Sequence, residues 1–416
     1  MSDYKVGVFH PGTQHSWQTA RALQEGGRLA WYKTSIFYLR DRWPYKGIEY
    51  LPESARALIE PELLRLYHPM LDPHLIHTAG WENWAMRVLH RLGCKELGSR
   101  FTRRGDRRFP HSVIRLMDRE PVHAIWGYNN SCLAAFRTAK QRNIATVLDQ
   151  TFGHPAVYNR IISEIYENYP EFFSSSNFLI DEEVVDNMIQ EHALADVIVS
   201  GSEFCASTLL QVGADSPDPA KLRILPYCYD EELFSQSLPH AKVQGRPVNF
   251  LFIGQAGPRK GFHLILKAFE RVPKSAATLT VVGDLNVPKA TFARYADRVT
   301  WTQTVSRSEV PAIMRSADCL LFPTYFEGSA ISILESLACG LPIIQSRNTG
   351  IVVDDNFGLL LKELTEDELY ENIMTVVENP GILEGWSLEA LSRAKEFSFR
   401  NYKNNVLAMM DSLADH

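Results

Sequence analysis

Short apolar runs alternate with amphipathic stretches of ten or more residues along most of the chain, and they do so in two consecutive series. This alternation is what parallel sheets covered by helices require, because each parallel strand pair needs a long crossover. In the first series the strand candidates are residues 4–9, 122–126, 144–148, 196–200 and 222–225; in the second they are 248–253, 279–283, 299–304, 319–322 and 341–345. The expected fold class is therefore α/β, with two Rossmann-like domains in tandem.

Between the series lies the polar segment 235–247, which contains Pro239, Gly245 and Pro247 and reads as a linker. The expected domains are 1–240 and 241–395. A last helical pattern near 388–413 has no strand after it, so the segment 396–416 is free to pack back on the first domain.

With 416 residues the chain is long enough for two full cores, and 45% apolar against 22% charged residues excludes disorder and low-complexity architectures. A formal net charge of -6 gives no global attraction for nucleic acid, so none is expected as a partner. No run approaches the ~18 apolar residues of a membrane span, and Met1-Ser2-Asp3-Tyr4-Lys5 lacks the apolar core of a secretory signal. A cytoplasmic location is expected. The six cysteines (Cys94, Cys132, Cys205, Cys228, Cys319 and Cys339) are scattered without metal spacing and are expected to be reduced and mostly buried.

One stretch departs from the mean. Residues 87–115 carry nine Arg or Lys against Glu96 and Asp106, a local +7 that leaves -13 for the rest. Arg87, Arg91 and Lys95 recur beside Trp81, Trp84, Val88, Leu89 and Leu92, the pattern of a helix with an apolar face and a cationic edge. Such a region, 81–115, suits peripheral contact with an anionic membrane at its inner face, or else is an ordinary solvated surface.

Two turns could carry chemistry. The strand at 248–253 runs into Gly254-Gln255-Ala256-Gly257-Pro258-Arg259-Lys260-Gly261 and then into a helical pattern. A glycine-rich turn at a helix start leaves backbone N–H groups free to face an anion, and Arg259 and Lys260 add charge. Arg259 and Gly261 break the P-loop pattern, so this is not a Walker site. The second turn follows the strand at 319–322 and reads from Pro323 through Glu327-Gly328-Ser329-Ala330-Ile331 to Glu335. With a helix beginning near Ser329, the N–H groups from Gly328 to Ile331 could hold a diphosphate while Glu327 and Glu335 reach to either side of it.

In its context, this second turn resembles the Glu-x7-Glu motif of retaining GT-B glycosyltransferases, specifically glycosyltransferase family 4. The strand with its Lys260-Gly261 turn, Val282-Gly283-Asp284, Thr304-Val305, Ser316-Ala317-Asp318, the Glu pair and Ala338-Cys339-Gly340-Leu341-Pro342 occur in the family's order. A looser match in the first domain covers the turn at Gly12, Ala195 to Ser200, and Ile224-Leu225-Pro226 followed by Asp230 and Phe234.

The resemblance implies two domains facing each other across a cleft. A nucleotide-sugar donor would lie mainly on the second domain, with Gly12 approaching from the first, and a hydroxyl acceptor on the first. Lys260, with Gly254 and Arg259, would bind the diphosphate, Thr304 and Val305 would line the base pocket, and Glu335 would accept hydrogen bonds from the ribose. Glu327 would sit beside the transferred sugar. The leaving diphosphate would help to deprotonate the acceptor, so that configuration is retained. Family members carry a first-domain histidine near the sugar, for which Asp149 and His154 are the candidates; His123 reads as a core residue.

The chain contains no Asp-x-Asp, so neither a metal nor another cofactor is expected. Gln255, Ala330 and Tyr227-Cys228 replace the Arg, second Gly and Asn-Gly common in the family. The basic region makes a lipid-linked or surface-polysaccharide glycan a candidate acceptor. The alternatives are a sugar-nucleotide epimerase of the same fold and a sugar-nucleotide-binding subunit without turnover. A dinucleotide oxidoreductase lacks its Gly-x-Gly-x-x-Gly at both first turns.

Overall fold

The computed structural model describes residues 4–12, 15–43, 45–64, 66–79, 95–234, 245–354 and 356–415. Two all-parallel sheets form two α/β domains. The first sheet has the order β3-β2-β1-β4-β5-β6-β7 and the second β10-β9-β8-β11-β12-β13. In both, the first strand of the domain sits beside the fourth, so the direction of winding reverses there. Ligands of open α/β sheets bind in the crevice this reversal leaves at the carboxyl ends of the strands.

In the first domain β1 (Val6–His10), β4 (Ala124–Tyr128), β5 (Ala145–Gln150), β6 (Val197–Ser200) and β7 (Leu222–Ile224) follow the sequence expectation. Two further strands, β2 (Leu29–Thr34) and β3 (Ile76–Thr78), extend the sheet beyond β1. They escape pattern reading because Lys33 and His77, partners in the β2–β3 register, interrupt their apolar runs. Its helices include α1 (Ser16–Glu25), α2 (Glu53–Leu64), α3 (Lys95–Arg119), α4 (Leu133–Gln141), α5 (Pro155–Asn168), α6 (Glu182–Leu194) and α7 (Glu203–Leu209). Apolar clusters cover both sheet faces, one around Trp126 and Tyr32, the other around Trp31, Phe109 and Phe136.

The second domain contains β8 (Val248–Ile253), β9 (Ala277–Val282), β10 (Val299–Thr302), β11 (Cys319–Phe322), β12 (Ile343–Ser346) and β13 (Leu359–Leu361), the last too short to be read from sequence. Its helices α8 (Phe262–Arg271), α9 (Lys289–Ala293) and α12 (Glu366–Glu378) lie on one face; α10 (Val310–Ser316), α11 (Ile331–Ala338) and α13 (Ile382–Ala394) lie on the other. Helix α11 starts at Ile331, two residues later than expected, because Ala330 still has extended backbone.

The final helical pattern is two helices. After α13 a short 3-10 turn at Lys395–Phe397 redirects the chain into α14 (Phe399–Ala414), which crosses to the first domain. There Phe399, Tyr402, Val406 and Met410 join the β1-side core, and Lys403 pairs with Glu25 at 2.8 Å. The two interdomain crossings lie side by side: Tyr229 N–H donates to Phe397 O, and Phe399 N–H to Glu231 Oε2.

Cys132, Cys205, Cys228, Cys319 and Cys339 are buried free thiols. Among the described residues, no helix is long and apolar enough to cross a membrane. The Trp81 to Leu92 part of the basic region and most of the linker lie outside the described residues, whereas Lys95 to Arg115 belong to α3.

Candidate active site

The turn after β8 and the turn after β11 meet at the winding reversal of the second sheet, β8 and β11 being hydrogen-bonded neighbours. From Gly257 the chain makes a 3-10 turn, Pro258–Lys260, before α8 begins. Gly261 ends it with φ +67, and a Cβ there would stand 2.0 Å from the Pro323 carbonyl oxygen, so only glycine lets the two turns approach. Tyr325 N–H then donates to Arg259 O at 2.9 Å, and Arg259 Nη1 to Phe326 O at 2.8 Å.

This stitching brings three expected site residues together. Glu327 Oε2 lies 2.8 Å from Arg259 Nη1 and 3.3 Å from Lys260 Nζ. Burial alone would raise the Glu327 carboxyl; the Lys260 and Arg259 cations reverse that and hold it below its ordinary value. It is therefore a carboxylate at neutral pH and not a proton donor. Lys260 Nζ also sits 4.9 Å over the Phe322 ring and backs onto Gly254, whose added Cβ would meet it at 3.5 Å. Among the described residues, no acceptor engages the backbone N–H of Gly328, Ser329 or Ala330, which precede the first turn of α11. Lys260, Arg259 and these amides make one electropositive corner.

Glu335, one helical turn further in, is buried and pairs with Arg307 from the loop after β10. Burial raises its carboxyl and Arg307 opposes this. Arg307 is half-exposed and lies 5.7 Å over the Phe234 ring. Near it, in the loop leaving β10, Thr304 Oγ1 donates to Asp284 Oδ1 at 2.8 Å and Val305 packs on the α11-side core. Two residues in this neighbourhood escaped the sequence reading. One is Arg307, close after Thr304-Val305 but marked by no motif. The other is His15 at the start of α1, whose imidazole is pushed down to about 4 by burial, with Arg307 and His10 adding to it.

The first domain meets the Glu327 turn directly. Phe326 is fully buried among Phe152, Tyr158 and Phe204, with ring centroids 4.8, 5.5 and 5.5 Å away. A Cβ on Gly328 would stand 2.0 Å from the Thr151 carbonyl oxygen. Thr151 is held in turn by Asn129 Oδ1, which accepts from its N–H at 3.0 Å and its hydroxyl at 2.8 Å. Gly12 closes the turn after β1, its N–H donating to His10 Nδ1 at 3.1 Å and its carbonyl accepting from Thr34.

Neither first-domain candidate points its side chain at Glu327. Asp149 is buried within the first core, accepting from Tyr227 at 2.6 Å and Trp126 at 3.2 Å, and burial, opposed by those donors, raises its carboxyl to about 7. His154 caps α5 through Nδ1, 3.2 Å from Ala156 N, and its Nε2 is buried without a partner among the described residues. Its ring lines a pocket walled by Val157, Arg160, Gln211 and Asp215, all from the first domain.

Two cavities flank the corner. One of about 300 Å3 lies between α5 and the β8 turn, lined by Tyr158, Asn177, Gln255, Arg259, Lys260 and Asn286. The other, about 450 Å3, lies between the domains beside the crossings and touches Ser202, Pro226, Ser329, Ala330, Thr349 and Phe397. The switch-point geometry, the cationic corner and the facing first domain form a single cleft.

Residues 238–394 match the family of glycosyl transferases group 1. Over 249 residues the chain is 25% identical to a D-inositol 3-phosphate glycosyltransferase of Mycobacteroides abscessus, covering 55% of this chain and 53% of that protein. It is 26% identical over 192 residues to the lipopolysaccharide glucosyltransferase WaaG of Escherichia coli, covering 42% and 51%. The chain thus spans about half the length of the curated relatives it matches. Whole-chain likeness is structural. Sucrose-phosphate synthase of Thermosynechococcus elongatus superposes with TM-score 0.67 at 15% identity, covering 99% of both chains. Anabaena HepE, solved with UDP-glucose, gives 0.62 at 12%, covering 98% of this chain and 99% of that one. The fold is GT-B: two Rossmann-like domains, of seven and six strands, as in those structures.

Proposed function

We propose that the protein is a retaining, metal-independent glycosyltransferase of family 4 that moves a sugar from a nucleotide donor to a hydroxyl acceptor. The observation that carries this reading is the convergence of Arg259 and Lys260 on Glu327 beside the unengaged amides of Gly328 to Ala330. In the donor complex the diphosphate takes those amides and the two cations, whose charge-assisted hydrogen bonds are stronger than neutral ones. Glu327, released from part of its cation pairing, faces the sugar and stabilises the positive charge that develops as the glycosidic bond opens. Glu335 turns from Arg307 to the ribose hydroxyls, and Thr304 and Val305 flank the base. A β-phosphate oxygen of the leaving diphosphate receives the acceptor proton, which accounts for retention without a second carboxylate close by.

The first domain binds the acceptor. A lipid-linked or surface-polysaccharide glycan at the inner face of the membrane is the acceptor class to test first, and a UDP-sugar the donor, since HepE was solved with UDP and UDP-glucose. Asp149, buried beneath the cleft, acts by holding Tyr227 in place. His154 positions the start of α5, and with it Phe152 against Phe326.

The test is a thermal-shift screen of UDP-, GDP- and ADP-sugars followed by transfer assays with Glu327→Ala. A donor-induced rise in Tm with transfer abolished by Glu327→Ala supports the reading. Donor binding with no transfer or donor hydrolysis identifies a binding subunit, and an epimerised donor without acceptor identifies an isomerase.

A further inference from the structure

A second cationic site lies at the far edge of the first sheet, outside the cleft. Lys33 on β2 and His77 on β3 stand side by side in register, on the sheet face that carries Trp31 and packs against α3. Ser112, Arg115, Leu116 and Arg119 lie opposite them at positions i, i+3, i+4 and i+7 of α3, one continuous helix face. Together these six side chains line a pocket of about 200 Å3.

Among the described residues, the charge inside it is unbalanced. Lys33 is only 8% exposed, and its Nζ donates to the Thr78 carbonyl oxygen at 3.1 Å, a neutral partner. Among the described residues, Arg115 and Arg119 make no ion pair and no side-chain hydrogen bond. The carboxylate nearby is Glu120, 3.3 Å from His77 Nε2, while Asp118 is taken by Arg142 at 2.8 Å. Burial, followed by the repulsion of Arg115 and Arg119, pushes the Lys33 ammonium down to about 8. Lys33 is the buried cation of the group while Arg115 and Arg119 are exposed, and a buried ammonium whose partner is a neutral carbonyl is costly for a fold that gains nothing from it. An anion in the pocket would meet an ammonium, two guanidinium forks and the Ser112 hydroxyl.

We propose that this pocket binds a phosphate group, gripped by Arg115, Arg119 and Lys33 between α3 and the β2–β3 edge. Guanidinium groups match phosphate oxygens two at a time, whereas a carboxylate would leave most of these donors unused. The group could belong to a lipid headgroup or to a soluble phosphate compound; the chemistry of the grip is the same.

The experiment uses the full chain and inorganic phosphate at constant ionic strength, with chloride as the balancing salt. On the Lys260→Ala background, which disables the cleft corner, phosphate should raise Tm, and the rise should be lost when Arg115→Gln/Arg119→Gln is added. Because both arginines lack partners among the described residues, the double variant should fold with an unchanged or higher Tm in chloride; Lys33→Met provides an independent second variant. Flotation with phosphatidic acid vesicles, against phosphatidylcholine, then separates the sources. Arginine-dependent flotation assigns a lipid headgroup, and a phosphate response without flotation assigns a soluble ligand. On the Lys260→Ala background, a phosphate response that survives both pocket variants, or no response to phosphate or vesicles at all, overturns the proposal.

Discussion

Ser202 Oγ, in the first domain, donates a 2.6 Å hydrogen bond to the carbonyl oxygen of Gly328 in the second. The turn that presents Glu327 is thus anchored from both sides: by Arg259 within its own domain and by Ser202, Thr151 and the Phe326 socket across the cleft. Placement of the carboxylate therefore depends on how the domains meet.

Phe326→Ala should cost roughly 3–5 kcal/mol, the usual loss for a buried aromatic, and should lower kcat more than it raises donor KM. Denaturant melts with steady-state kinetics check this. A variant with unchanged stability would mean that the aromatic socket is not formed in solution.

Glu327→Ala should reduce kcat roughly 10^2- to 10^3-fold, as loss of one preorganised electrostatic partner does. Glu335→Ala should act mainly on donor KM, raising it about tenfold or more through lost ribose hydrogen bonds. Normal kinetics in both variants would remove the assignment of the cleft.

Chelation by EDTA should leave the transfer rate unchanged, because Lys260, Arg259 and helix amides carry the counter-charge to the diphosphate. A rate restored only by added magnesium would contradict this.

Stability should respond to the Asp149 carboxyl in the acid range. Its folded value of about 7 stands above its ordinary 3.8, so the folded state binds the proton more tightly than the unfolded chain does. The stabilisation from this group is complete below about pH 4 and is lost as pH climbs through 7. Asp149→Asn, which is neutral throughout, should flatten that part of the pH–stability curve. An unaltered curve would show that Asp149 is ionised in the folded protein.

The two chemistry-bearing turns were legible because each lies on one contiguous segment: Gly254 to Gly261 with its cations, and Glu327 to Glu335 around a helix start. The α/β class was legible for the same reason, most central strands being unbroken apolar runs. What pattern reading missed depends on contacts between distant segments. β2 and β3 hide behind Lys33 and His77, polar residues that become interior only when α3 packs over them. Arg307 gains its place from pairing with Glu335, 28 residues away, and His15 stands out through burial, with the charge of Arg307 adding to it. Asp149 stood as a candidate because it lies in the stretch after the 144–148 strand where the resembled family carries its histidine; Tyr227, 78 residues further on, turns it inward.

Helix α14 is made by the tail of the chain yet forms part of the first domain's wall, closing over α1 with Phe399, Tyr402, Val406 and Met410. The first domain is therefore not encoded by an uninterrupted stretch. A fragment cut at the linker would leave that wall missing and its apolar lining wet, so dissection of the two halves calls for grafting the tail back on, not for a single cut.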